Sequence, residues 1–236
     1  MQRLQGRVRK ACEMYSLIRD GERVAVGLSG GKDSAALLKA LAGYRAYSKT
    51  RFELVALTLD PRFFGRDGDY GELSAFCESL GVEHFIKRTN LYEIIFETRK
   101  EQNPCALCAR MRRGALHDLC LEKGCARLAL GHHLNDAVET FYMNLFFEGR
   151  LAALAPLSYL SRKDIHLIRP LILASEREVE AAARRAALPV VKSLCPADGN
   201  TRREEIKRYI ARMEARCPGF LNRSFTALQN AHLSGL

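Results

Sequence analysis

An apolar run, Val24-Ala25-Val26-Gly27, opens directly into Leu28-Ser29-Gly30-Gly31-Lys32-Asp33-Ser34 and then into Ala35-Ala36-Leu37-Leu38. The order strand, glycine-rich turn, helix leaves few architectures open, because the turn brings backbone N–H groups and the positive end of a helix to one point. Such a point binds an anion. The two glycines permit a tight turn and close approach, Ser29 and Ser34 add hydroxyl donors, and Lys32 adds charge. A Walker loop would place Gly at position 26 and Ser or Thr at 33, where this chain has Val26 and Asp33, and the stretch is not a dinucleotide fingerprint either.

The rest of the chain fits an α/β layout. Apolar runs at 54–59, 84–86, 128–130 and 165–168 predict further short strands, with helical patterns between most of them, which implies a parallel sheet with helices on both faces, Rossmann-like in class. A helix over 3–20, ended by Asp20-Gly21, precedes the first strand. Residues 151–161 are apolar with Pro156, a helix over 175–187 follows, and 201–233 is helical and basic with Pro218-Gly219 dividing it. We expect a single domain over 1–236: a core of about 20–187, an N-terminal helix over 1–20 and a helical C-terminal extension over 188–236. Ligands of such sheets sit beyond the carboxyl ends of the strands. Three ends carry chemistry here: Ser29 to Ser34, Thr58-Leu59-Asp60, and Gly131-His132-His133-Leu134-Asn135-Asp136.

A hydrophobic content of 47% supplies a real core, and the formal charge of +10 favours a polyanionic partner such as nucleic acid. No stretch approaches the roughly 18 apolar residues of a membrane span, and the basic start has no signal-like apolar region, so a cytoplasmic location is expected. Eight cysteines at irregular spacing then read as thiols or metal ligands. Cys105-Ala106-Leu107-Cys108 is half a site by spacing alone, open to zinc, an iron-sulfur cluster or a redox pair. Cys195 lies in a turn-like segment before a helix, where a thiolate is favoured, whereas Cys12, Cys77, Cys120 and Cys125 sit in apolar helical patterns as buried thiols.

Ser-Gly-Gly-Lys-Asp-Ser resembles the pyrophosphate loop of the N-type ATP pyrophosphatases, which hold the β and γ phosphates and leave the α phosphorus open to attack. Adding Pro104-Cys105-x-x-Cys108 with Arg110, Arg112 and Arg113, then Gly131-His132-His133 with Asp136, then Ile168-Arg169-Pro170-Leu171 and Cys195, the whole resembles the tRNA 2-thiocytidine biosynthesis family, in that order along most of the chain. The chain departs from longer members in lacking a long tail, and it has Leu134-Asn135-Asp136 where many carry a charged residue and two aspartates.

The resemblance implies an adenine nucleotide alpha hydrolase-like fold and a [4Fe-4S] cluster held by Cys105, Cys108 and Cys195, leaving one iron free to present hydrosulfide. It also implies ATP-dependent transfer of sulfur to C2 of a tRNA cytidine, cytidine 32 of the anticodon loop, with AMP and pyrophosphate released. Ser29, Gly30, Gly31, Lys32 and Ser34 would hold pyrophosphate; Asp33, with Asp136 as second carboxylate, would hold magnesium. Backbone groups of Leu57, Thr58 and Leu59 would meet adenine, Asp60 the ribose or metal, and Gly131 and His132 the nucleotide, while His132 and His133 divide evenly between phosphate contacts and helix capping. Arg110, Arg112, Arg113, Arg202, Arg203, Lys207 and Arg208 would meet RNA phosphates or form a solvated face. A sulfur donor, sulfide or a cysteine desulfurase, and a homodimer are the further partners. Three other classes remain at this stage: a lysidine-type tRNA ligase, a non-catalytic iron-sulfur RNA-binding or redox-sensing protein, and a sulfurtransferase for a small metabolite.

Overall fold

The computed structural model describes residues 1–99, 104–191 and 202–236. Its frame is a six-stranded sheet built from β1 (Glu22–Gly27), β2 (Phe52–Asp60), β3 (Glu83–Arg88), β4 (Arg127–Ala129), β5 (Leu157–Leu160) and β6 (Ile165–Ile168), in the order β3-β2-β1-β4-β6-β5. Every pair is parallel except β5 with β6. The sheet is parallel as expected, with one antiparallel edge strand, β5, that the sequence did not announce. Residues 157–160 bury only alternate positions and lie just after Pro156, so the run has too little apolar character to announce a strand.

The inner strands are covered on both sides, and successive residues feed different cores. Val24 and Val26 of β1, with Leu54 and Ala56 of β2, face a large core shared with α1 (Gln2–Met14), α2 (Lys32–Tyr47) and α6 (Glu176–Arg185). Ala25, Val55 and Leu57 face a smaller core closed by Leu119 and Cys120 of α4 (Pro104–Glu122). On the first face α2 runs through the interior with Ala35, Ala36, Leu37, Leu38, Ala40 and Leu41 fully covered. Its small residues let neighbouring helices approach closely.

Helix α1 ends at Met14, six residues before Asp20, because the chain turns at Ser16, whose φ is 48°. Helices α3 (Gly71–Ser79) and α5 (Leu134–Glu148) complete the crossovers, and α7 (Arg202–Arg216) and α8 (Phe220–Asn230) form the C-terminal layer. Helix α6 starts on a capping box, in which Ser175 Oγ accepts from the Glu178 N–H and the Glu178 carboxylate accepts from the Ser175 N–H. Strand order reverses on either side of β1, whose neighbours are β2 and β4, and the loops after β1 and β4 flank that reversal. This is the position at which open α/β sheets hold ligands.

Candidate active site

A cleft of about 310 Å³ lies at that position. Its floor is the loop after β1, with Ser29, Asp33 and Ser34 exposed to it; Leu57 and Leu59 of β2 form one wall, and Gly131, His132 and Asp136 form another. The loop is held by its own side chains. Ser34 Oγ donates to Gly31 O at 2.9 Å and accepts from the Ser29 N–H at 3.1 Å, so its 3.2 Å contact with Ser29 Oγ uses the Ser29 proton. Gly30 sits at φ +84°, the left-handed conformation that glycine takes without cost, and Gly31 is the extended cap residue before α2. Gly131 is needed for contact: a Cβ there would lie 3.1 Å from Asp33 C and Ser34 N.

Charge is concentrated around the same loop. Lys32 Nζ lies 3.3 Å from Asp33 Oδ1 and 3.6 Å from Glu176 Oε1. Burial draws the Lys32 ammonium down, but Asp33, Glu176 and Glu180 outweigh it and hold the pKa above its ordinary value. Asp33 Oδ1 is buried in the cleft wall, accepts no hydrogen bond and has the Lys32 ammonium at 3.3 Å as its charge partner, so a bound cation there would take the place of Lys32. The cleft therefore offers Asp33 as the carboxylate that would hold a divalent cation such as magnesium. Asp136 is more committed: Oδ2 accepts from the His133 N–H at 2.9 Å and Oδ1 from Arg203 Nη1 at 3.0 Å.

The two adjacent histidines separate. His133 is the buried N-cap residue of α5, its backbone N–H donating to Asp136, whereas His132 lines the cleft; neither Nδ1 has a hydrogen-bond partner. Burial pushes the His132 imidazole down to about 4, helped by Arg169 and Arg203 against the opposing pull of Asp136. A neutral ring cannot hold an anion by charge; the cations beside the cleft are Lys32 next to its loop and Arg112 and Arg113 on its α4 side. Those two arginines were expected among the RNA contacts; the fold sets them at the cleft.

Other expected residues are relocated too. Thr58 points away from the cleft, is 1% exposed, and donates through Oγ1 to Leu28 O at 2.8 Å. Leu57 and Leu59 of that trio line the pocket, as the two-residue period of a strand requires, and the backbone contacts expected of all three do not depend on where the Thr58 side chain points. Asp60 is buried with both carboxylate oxygens occupied, Oδ1 by the Arg62 N–H and Oδ2 by the Gly68 N–H, each at 2.9 Å, so it fastens the following loop. Arg203 and Lys207 are not free for RNA: Arg203 binds Asp136 and the buried Glu139, and Lys207 lies 3.6 Å from Glu176. Glu139 gave no signal in the sequence, since an acidic residue in a helical run reads as solvated.

Helix α4 joins the cleft to the cysteines. Four residues of helix separate Cys108 from Arg112 by about 6 Å, and the Cys105 side chain lies outside the described residues. Cys108 is half-buried against a small core of Leu91, Ile95 and Leu107. Cys195 lies outside the described residues, yet both neighbouring stretches are tied to the cleft. The Val191 N–H donates to Gly30 O at 2.9 Å, and Arg203 grips Asp136. Cys12, Cys77, Cys120 and Cys125 are buried as expected, burial raising Cys12 to about 12 and Cys77 to about 11, while Cys217 is exposed.

A family model described as a PP-loop domain matches residues 2–214. A tRNA-cytidine(32) 2-sulfurtransferase of Geobacter sulfurreducens is 38% identical over 231 residues, 97% of this chain and 89% of that one. The chain belongs to the tRNA 2-thiocytidine biosynthesis family of PP-loop proteins. A family member from Ralstonia nicotianae is 36% identical over 97% of this chain and 73% of its own. Among solved structures, the U34-tRNA thiolase NcsA from Methanococcus maripaludis with its [4Fe-4S] cluster superposes with a TM-score of 0.74 at 25% identity, covering 97% of this chain and 78% of that one. An NAD+ synthetase from Burkholderia pseudomallei shares the fold alone, with a TM-score of 0.52 at 16% identity over 98% of this chain and 87% of its own. No described helix is long and apolar enough to cross a membrane.

Proposed function

We propose that this cleft activates a tRNA cytidine with ATP so that sulfur can replace its C2 oxygen, making the chain a tRNA-cytidine(32) 2-sulfurtransferase. The observation that carries the reading is α4, which supplies Arg112 and Arg113 to the nucleotide cleft and bears the C-x-x-C little more than one turn away. The chemistry needs both. The cytidine O2 attacks the α phosphorus, the bond from that phosphorus to the bridging oxygen breaks, and pyrophosphate leaves; sulfur then adds at C2 and AMP departs with the old oxygen. Adenylation makes a poor leaving oxygen a good one.

Each of the chain's own groups has a part in this. The Ser29 to Ser34 loop, Lys32 and the start of α2 receive pyrophosphate and stabilise the negative charge that builds on it as it leaves. Asp33 would hold magnesium, which would neutralise charge on the phosphates, Leu57 and Leu59 flank the place of the adenine, and neutral His132 offers a hydrogen bond without adding charge. Arg112 and Arg113 stand between the two halves of the site, where the adenylated base must lie. A [4Fe-4S] cluster on Cys105, Cys108 and Cys195 supplies, when bound, the nucleophilic sulfur. The sulfur comes in turn from sulfide, free or passed on by a cysteine desulfurase.

The test is anaerobic reconstitution with iron and sulfide, incubation with ATP, magnesium, sulfide and unmodified tRNA, and mass spectrometry of the digested nucleosides. We expect 2-thiocytidine at position 32. Cys195→Ala should lose thiolation and cluster iron while keeping ATP affinity; normal thiolation by that variant would remove Cys195 from the ligand set. Iron-free protein that consumes ATP and tRNA and joins an amine to the base would instead establish a lysidine-type ligase.

A further inference from the structure

A second cavity, of about 260 Å³, opens on the same edge of the sheet, lined by Arg62, Phe64, Asn90, Tyr92, Glu93 and Glu97. It begins two residues beyond Asp60, at the end of the strand whose Leu59 lines the nucleotide cleft. Its walls are aromatic. Tyr92 stacks on Phe96 with ring centroids 5.2 Å apart, Phe64 leans on Tyr92 at 4.9 Å, and Phe63 meets Tyr92 edge-on at 5.8 Å. Phe96 continues inward to the small core against which Cys108 packs. The row of rings thus runs from the surface to the C-x-x-C helix.

Two features set this place apart from an ordinary loop. Arg62 (φ 52°, ψ 59°) and Phe64 (φ 57°, ψ 30°) both hold the left-handed conformation, which bulky L residues avoid. The buried Asp60 enforces it through the Arg62 and Gly68 N–H groups, and the outcome is that Phe64 stands 57% exposed at the mouth of the cavity. Folding alone gives no reason to display a phenylalanine on a strained turn. The polar lining is equally selective: Arg62 and Asn90 donate, and Glu93 and Glu97 accept, which suits a planar heterocycle with carbonyl and amine edges. Arg62 and Arg88 share the carboxylate of Asp67, and Glu93 and Glu97 outweigh the remaining positive charge, so the pocket suits the ring face and amine edge of a base and not a phosphate.

We infer that Phe64 and Tyr92 form a stacking pocket for one unpaired, amine-bearing base of the tRNA, next to the base that reacts, with Glu93 or Glu97 accepting from its exocyclic amine. The inference rests on the tRNA reading above and gives it a recognition surface. Unstacked bases of single-stranded RNA loops are held on aromatic faces in this way, each stack being worth about 1–3 kcal/mol, or roughly 5- to 150-fold in affinity. The pocket also explains why Asp60 serves the loop and not the nucleotide.

The experiment measures binding of a fluorescein-labelled, unmodified anticodon stem-loop RNA to the reconstituted full chain by anisotropy, alongside ATP affinity and iron content. Phe64→Leu keeps the backbone demand and removes the stacking face; it should weaken RNA binding about tenfold while ATP affinity and iron stay as in the parent. Phe64→Tyr should restore binding to within about twofold, which loss of bulk alone would not require. Equal RNA affinity for the parent and Phe64→Leu, or failure of Phe64→Tyr to recover it, overturns the pocket while leaving the tRNA reading intact. If the parent itself binds no RNA, both fall.

Discussion

Replacing Arg203 with Met removes the guanidinium that spans Asp136 and Glu139, taking with it contacts of 3.0 Å to Asp136 Oδ1 and 3.1 Å to Glu139 Oε2. Fully buried ion pairs cost about 3–5 kcal/mol to break, and exposed ones under about 1 kcal/mol. This one lies between: the Glu139 side chain is 3% exposed, that of Asp136 18% and that of Arg203 36%. A loss of about 2 kcal/mol at pH 8 follows, which for a chain of this size lowers Tm by roughly 4–8 °C. The loss must depend on pH. Burial raises the Glu139 carboxyl to about 7, against the opposing pull of Lys207 and Arg203. Between its ordinary 4.5 and 7 the folded state keeps a proton that the unfolded state has released, so this group's contribution to stability falls as pH rises through that window. At pH 6 Glu139 is largely neutral, less charge is left unpaired, and Arg203→Met should cost about 1 kcal/mol. Melting curves at both pH values, for Arg203→Met, Glu139→Gln and the double variant, provide the assay. The double variant should recover more than half of the pH 8 loss. Equal losses at pH 6 and pH 8, with no recovery in the double variant, would refute the account of Arg203 as the neutralising partner of a buried carboxylate.

Gly131→Ala drives a methyl to about 3.1 Å from the backbone of Asp33 and Ser34, and because backbone cannot swing aside as a side chain can, ATP affinity should fall about tenfold by calorimetry; unchanged affinity would mean the loop after β1 does not grip the nucleotide where Gly131 meets it. His132→Asn should flatten the acid side of the stability profile. The folded imidazole titrates near 4 against an ordinary 6.5, so the unfolded state takes up the proton first as pH falls below 6.5, and the parent loses roughly 2–3 kcal/mol by pH 4.5. Parallel denaturant midpoints for parent and variant from pH 8 to 4.5 would show that this ring is not held neutral by the fold.

Features legible in the sequence were those whose chemistry is local. A glycine-serine-lysine turn between an apolar run and a helix specifies its own backbone, and the helix expected over 175–187 is started locally by the Ser175–Glu178 capping box, so both survive into the fold. Position on the sheet was legible as well, because the strand ends at 29–34 and 131–136 can meet only where the strand order reverses. What escaped depends on partners far along the chain. Arg127 is 1% exposed and bonded to Glu22, and Arg203 is bonded to Glu139, across separations of 105 and 64 residues that no periodicity reveals. A basic helix such as α7 therefore looks like an RNA face when part of its charge is already spent inside the molecule.

The same reasoning explains the split between His132 and His133, and it bears on how the site is coupled. Adjacent residues at a strand end point in opposite directions, so one histidine enters the cleft while the other turns to cap α5 and is braced by Asp136, whose second oxygen holds Arg203. Asp136 is thereby fixed by the start of one helix and the start of another, and α7 begins directly after the stretch that contains Cys195. Any ligand of the cleft that draws on Asp136 must compete with Arg203, so occupancy at Asp136 and the anchoring of the start of α7 oppose one another through one guanidinium and two carboxylates.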